Sequence, residues 1–140
     1  MAWRRAKELV ENGMIGRPIL IHGTYLQEFG ALPAPYDWGY HPEAGEEMRA
    51  VSEIGTHWLE IAEYIAGQRI KEVSALFACY TPHRILKDGM MYPDKASEKA
   101  NETGRKVQAS ASLDGDKIEV TSEDAAIIQM KFENQALGSV

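Results

Sequence analysis

The sequence predicts an α+β fold: a largely antiparallel, open sheet with helices packed on one face. Three observations predict it. Two segments place apolar residues at helical spacing, Ala6, Leu9 and Val10 in one and Ile54, Trp58, Ile61 and Ile65 in the other. Three further segments, residues 19–27, 73–80 and 125–132, are rich in β-branched and aromatic residues and read as strands. The third of these runs into a turn, Glu133-Asn134-Gln135, and an apolar return over residues 136–140, which makes a hairpin. Helix, strand, helix, strand and hairpin, in that order, suit helices gathered on one face of a sheet.

Composition sets the limits. The 140 residues fit one domain over residues 1–140. A chain of that size buries about two-thirds of its unfolded surface, enough for a true core. The 44% apolar and 26% charged content is that of a globular chain. A net charge of −6 argues against a nucleic-acid partner, because phosphate binding needs a basic face. No apolar run reaches membrane-spanning length, and the opening MAWRRAKELV lacks a signal peptide's core, so no membrane partner is expected. The single cysteine, Cys79, excludes an internal disulfide and fits a reducing, cytoplasmic setting. Between Phe77 and Tyr80 it is expected to be a packed, inert thiol.

Each element has its own signal. Asn12-Gly13 stops the first helix, which begins almost at residue 1 without a capping residue. That start, and a hairpin strand still running at Val140, lead to the expectation of a chain truncated at both ends. Gly16-Arg17-Pro18 turns the chain into the first strand. Residues 29–45 hold Pro33, Pro35 and Pro42, with Tyr36, Trp38 and Tyr40 among them. They read as a long irregular loop whose aromatics either cover the core or contact a ligand. Ser52 is expected to cap the second helix and Gly67 to end it. Residues 81–121 are polar and are expected to form a variable excursion with one short strand near 117–120.

The second helix carries the chemistry. At about 100° per residue, Ile54, Trp58, Ile61 and Ile65 form one stripe that should face the core. Glu53, His57, Glu60 and Tyr64 form another about a quarter-turn away, expected at the boundary of the core. Histidine titrates nearest neutral pH, and a carboxylate one turn away orients the ring for acid–base work. Glu53 lies in the first turn, where the helix dipole favours its charged form. Gly55 costs roughly 1 kcal/mol in a helix interior, a cost that makes sense where a ligand or backbone comes close. A glutamate–histidine pair is also a common sight on a solvated helix, and spacing alone leaves both readings open. No metal is expected: His57-x-x-Glu60 would need a second such motif, and His22, His41 and His83 lack acidic company at that spacing. The sequence has no glycine-rich phosphate loop and no G-x-S-x-G elbow.

A resemblance adds to this reading. The succession AKELVENGMIGRPILIHGTYLQ, an aromatic loop, EIGTHWLEIAEYIAGQRIKEV and EDAAIIQMKFENQALGSV resembles the Gfo/Idh/MocA family of NAD(P)-dependent oxidoreductases, in particular its C-terminal domain. It covers the chain except residues 82–121. It implies that an N-terminal Rossmann domain, outside this chain, binds NAD or NADP, and that this chain alone binds no cofactor and is inactive. It implies hydride transfer between nicotinamide and a carbon of a sugar, inositol or related polyol, and a homo-oligomer formed through the sheet. The family's motif histidine matches His57 and its preceding motif aspartate matches Glu53, which makes these the expected catalytic pair. Glu60, Arg49, Tyr25, Gln27, Tyr36 and Trp38 fall where the resemblance implies substrate contacts. Glu53 and Glu60 replace aspartates, so each carboxylate reaches one methylene farther. A rival from another class is a non-catalytic binding or assembly module on the same fold.

Overall fold

A computed structural model describes residues 2–28, 34–35, 38–40, 48–93 and 114–140. The chain divides into two units. One comprises Met1–Tyr25, Ala50–Phe77 and Ala126–Val140, the other Leu26–Arg49 and Ala78–Ala125.

In the first unit, helix α1 covers Ala2–Glu11, and Gly13 follows it with a positive φ, as the Asn-Gly signal predicts. A second helical segment opens with a π-helical turn, Val51–Gly55, and continues as α2, Thr56–Ala66. Ser52 therefore lies inside the helical segment and is not its cap. Gly67 ends α2 in the left-handed conformation at φ +62°, its N–H donating to Glu63 O at 2.9 Å. The sheet of this unit has the order β1-β8-β7-β3, with β1 at Leu20–His22, β3 at Ile70–Ala78, β7 at Ala125–Phe132 and β8 at Leu137–Ser139. β7 and β8 are antiparallel, pairing Met130 with Gly138. β1 runs parallel to β8 and pairs Ile21 with Gly138.

The first strand is much shorter than residues 19–27. Among the described residues it pairs only with β8, which has three residues, so its ladder ends at the Gly23 N–H to Ser139 O bond of 3.1 Å. Strand β3 begins earlier than residue 73, because Glu133 N–H donates to Arg69 O and holds its start. It also stops short of Tyr80, whose N–H turns to Asp124 instead.

Ile128, Met130 and Phe132 alternate inward along β7 and meet Ala62 and Ala66 of α2, with Trp58 and Leu59 packed at the edge. The core face of α2 is thus centred on Trp58, Leu59, Ala62 and Ala66, where small side chains let the sheet approach closely. Ile54, Ile61 and Ile65, expected to lead that face, are only half-buried. Helix α1 lies against α2, and Lys7 Nζ donates to Tyr64 O at 3.2 Å while sitting 4.8 Å from the Tyr64 ring centroid.

The second unit holds a second antiparallel sheet, β2-β5-β4-β6, formed by Ala34–Pro35, Met90–Pro93, His83–Lys87 and Asp116–Glu119. Most of this sheet comes from the polar stretch expected to be an excursion; only the short strand near 117–120 was anticipated. Asp88 and Gly89, at φ +51° and +74°, make the two-residue turn between β4 and β5. Both positions being left-handed is the geometry that closes a tight hairpin. Tyr40, Met91 and Val120 form the apolar part of this unit's core.

Candidate functional site

The π turn ends two residues before His57, with Thr56 between them. Thr56 N–H donates to Val51 O, five residues back, and Thr56 Oγ1 donates to Ser52 O at 3.0 Å. Glu53 sits in this turn, His57 and Glu60 in the first turns of α2. All three side chains are exposed, and Tyr64 is 46% exposed. The boundary position expected for this stripe is not what the structure shows. With the core face centred between Trp58 and Ala66, a rotation of about 100° per residue puts His57 and Glu60 roughly 150° away, nearly opposite the core. Packing therefore does not hold these side chains, and they face outward. Gly55 has a steric role: a Cβ there would lie 3.3 Å from Val51 Cγ1, and Val51 packs against the core.

The other expected residues scatter. Glu60, Trp3, Ile61, Tyr64 and Arg69 line a depression of about 600 Å³ at the far end of α2, and His57 is not part of its lining. Tyr25 is half-buried in the first unit and Gln27 exposed in the second. Tyr36 and the Trp38 side chain lie outside what the structure describes.

Arg49 belongs to the second unit and is buried. Its guanidinium carbon lies 4.3 Å from the Tyr40 ring centroid, and that of Arg84, also buried, lies 4.2 Å from the same ring. The Arg49 N–H donates to the buried Glu123 carboxylate at 2.5 Å. Asp124 accepts from Tyr80 N–H at 2.8 Å, Thr81 N–H at 2.9 Å and Thr81 Oγ1 at 2.6 Å. Burial lowers the pKa of Arg84 from the usual arginine value, and the nearby Tyr40 acts in the opposite direction. Burial, helped by Asp124, raises that of Cys79, in keeping with the inert thiol expected there. Arg84, Glu123 and Asp124 are the residues sequence reasoning passed over. Glu123-Asp124 opens the EDAAIIQMKF segment, but hydropathy gives no sign that Glu123 is buried and Asp124 half-buried.

Among the described residues no three His, Cys, Asp or Glu side chains gather as a metal would require. No helix there is long and apolar enough to cross a membrane. Nor does the exposed stripe suit a dinucleotide. The exposed stripe offers two carboxylates, which repel a pyrophosphate, and the sequence has no phosphate loop.

Comparison with known proteins settles the lineage. The GFO/IDH/MocA C-terminal domain matches residues 3–140. The chain belongs to the GFO/IDH/MocA family. Within this family it is 32% identical over 136 residues to levoglucosan dehydrogenase of Pseudarthrobacter phenanthrenivorans, covering 96% of this chain and 31% of that protein. This family member therefore spans about a third of the length of the curated relative it matches. A solved levoglucosan dehydrogenase in complex with NADH and levoglucosan superposes with a TM-score of 0.65 at 27% identity, over 96% of this chain and 28% of that one. An oxidoreductase domain protein from Kribbella flavida gives 0.68 at 25%, over 99% of this chain and 29% of its own.

Proposed function

We propose that this chain is the substrate-side and association part of a cytoplasmic NAD(P)-dependent dehydrogenase acting on a sugar, inositol or related polyol. The observation that carries the reading is the outward stripe Glu53, His57, Glu60 on a helix whose opposite face is packed. An exposed imidazole between acids is free to meet a substrate hydroxyl. In the full-length enzyme a nicotinamide, held by residues outside this chain, would supply the acceptor for the hydride leaving the substrate carbon. His57 takes the hydroxyl proton through its ring nitrogen as that hydride leaves, and returns it in the reverse direction. Glu53 orients the ring or holds a neighbouring hydroxyl, and Glu60, Tyr25, Gln27, Tyr36 and Trp38 contribute substrate contacts. Arg49 belongs to the same proposed set of substrate residues. Without the cofactor-binding residues the chain alone turns nothing over.

Levoglucosan dehydrogenase, the relative at 32% identity, acts on a sugar derivative, which supports that substrate class. Association through the first unit's sheet is supported by its outer face. Leu20 and Leu137 are register partners there, and Ile127 alternates outward along β7; they are 67%, 55% and 62% exposed. An apolar sheet face of this kind marks an interaction surface. The same face suits the rival reading of a non-catalytic assembly module.

The test is His57→Ala in the full-length protein, following nicotinamide absorbance with candidate polyols. Loss of a general acid–base group lowers kcat by roughly a hundredfold or more. A loss under threefold removes His57 from the mechanism and favours the assembly module.

A further inference from the structure

The π turn has a geometric consequence for the acid–base pair. In a regular α-helix four residues sweep about 400°, so a side chain at i+4 overshoots its partner by about 40°. A turn closed by an i to i+5 bond takes more residues, and each rotates less. Across Val51–Gly55 that overshoot shrinks, and Glu53 comes to nearly the same azimuth as His57, one turn below it. Glu60, three residues on within regular α-helix, stays about 60° off that azimuth.

Gly55 gives the turn the room it needs. The space its Cβ would fill adjoins Val51 Cγ1, at 3.3 Å, and Val51 Cβ, at 3.5 Å. Val51 is itself half-buried and packed against the first unit's core cluster, which limits how far it can give way. The π turn ends at Gly55, two residues before the residue that must be oriented, and π turns in helical segments are frequent at functional sites.

We infer that the π turn Val51–Gly55 is a positioning device for the catalytic pair: it aligns Glu53 with His57, and Gly55 is the positioning residue that keeps it in that form. This rests on the function proposed above for His57. Of the two acids on the stripe, Glu53 is the one that orients the imidazole, and Glu60 is left to the substrate side. A methyl group at position 55 presses on Val51, favours the tighter α-helical turn and restores the offset.

The experiment uses the full-length enzyme and follows kcat, KM and Tm. Gly55→Ala is expected to lower kcat at least tenfold with KM within twofold. Adding Val51→Ala relieves the contact and is expected to bring kcat back to within threefold of wild type. Tm does not recover, because Val51→Ala opens a cavity in the core. Unchanged kcat in Gly55→Ala, or kcat and Tm falling and recovering together, overturns the inference and makes the glycine merely structural. Should Gly55→Ala fail to fold, Glu53→Gln and Glu60→Gln, both at exposed positions, carry the test. The first is expected to cost tenfold or more in kcat with KM within twofold, and the second to act chiefly by raising KM, as loss of a substrate contact does; a kcat loss in Glu60→Gln equal to or larger than that in Glu53→Gln overturns the alignment. His57→Ala in the same assay separates the two layers. If it retains activity, the proposed function fails; if it collapses while Gly55→Ala and Glu53→Gln are silent, only the π-turn inference does.

Discussion

The two units of this chain build their interiors from different chemistry. The first packs Phe132, Met130 and Ile128 of β7 against Ala62 and Ala66 of α2, an interior of hydrocarbon. The second surrounds Tyr40 and Met91 with Arg49, Arg84, Ser122 and Glu123, all buried, and joins them by ring–cation contacts and carboxylate bonds. An apolar interior is non-directional and leaves a periodic trace in the sequence. A charged interior depends on particular partners brought from distant segments, because a buried charge must be compensated. The first unit could therefore be read from hydropathy and the second could not.

The comparison can be broken most directly at its two centres. Phe132, with no exposed surface, should lose about 3–5 kcal/mol of unfolding free energy on truncation to alanine, measured by chemical denaturation of the full-length protein. Arg84, equally buried, should lose about 3 kcal/mol as alanine, because its removal leaves Asp124 without a nearby cation and the buried Tyr40 ring without its packing partner. Arg84→Met separates the two kinds of core. Refilling the volume with hydrocarbon should be near neutral, within about 1 kcal/mol, if the charge serves only packing; a large loss would show that the second interior depends on the charge itself.

A smaller effect is expected at Asp124. Replacing it with alanine removes the acceptor for two backbone N–H groups and the Thr81 hydroxyl, at about 2 kcal/mol. In the first unit, Gly67→Ala forces a Cβ into a left-handed helix end and should cost about 1 kcal/mol. The smallest effect is one of pH. The Cys79 pKa is raised above its ordinary 9.0 in the folded chain, so the fold favours the protonated thiol. That contribution is complete below the unfolded pKa and lost as pH rises through the folded one. Stability should therefore fall slightly above pH 9, and Cys79 should react with an alkylating reagent more slowly at that pH than an unfolded cysteine does. Equal rates would show that the thiol is not shielded.

Particular residues show where legibility ended. Residues 125–132 alternate apolar and polar from Ile128 onward, and the strand lies over those residues. The turn at Glu133-Asn134-Gln135 was legible because Asn134 Oδ1 accepts from Ala136 N–H, a local bond its residue type favours. The hairpin β4–β5 also had a signal, Asp88-Gly89 between Ile85-Leu86 and Met90-Met91, but the polar residues around it outweighed it. The stripe Glu53, His57, Glu60 was legible as a stripe. Its distance from the core was not, because that depended on which apolar side of α2 met the sheet. Two alanines won over three isoleucines, since close approach rewards small side chains.

The sequence by itself determined the family, the helices and their stops, the strand of residues 125–132 and its turn, and the grouping of His57 with its acids. All of these follow from local periodicity and from residue types acting on their near neighbours. Tertiary structure alone decided that Arg49 and Arg84 share one buried ring, that the polar middle of the chain builds a second sheet, and that the helix bearing His57 opens with a π turn. These depend on residues far apart in sequence and on the space that packed neighbours such as Val51 leave; local signals such as Asp88-Gly89 mark a turn but not which strands then pair.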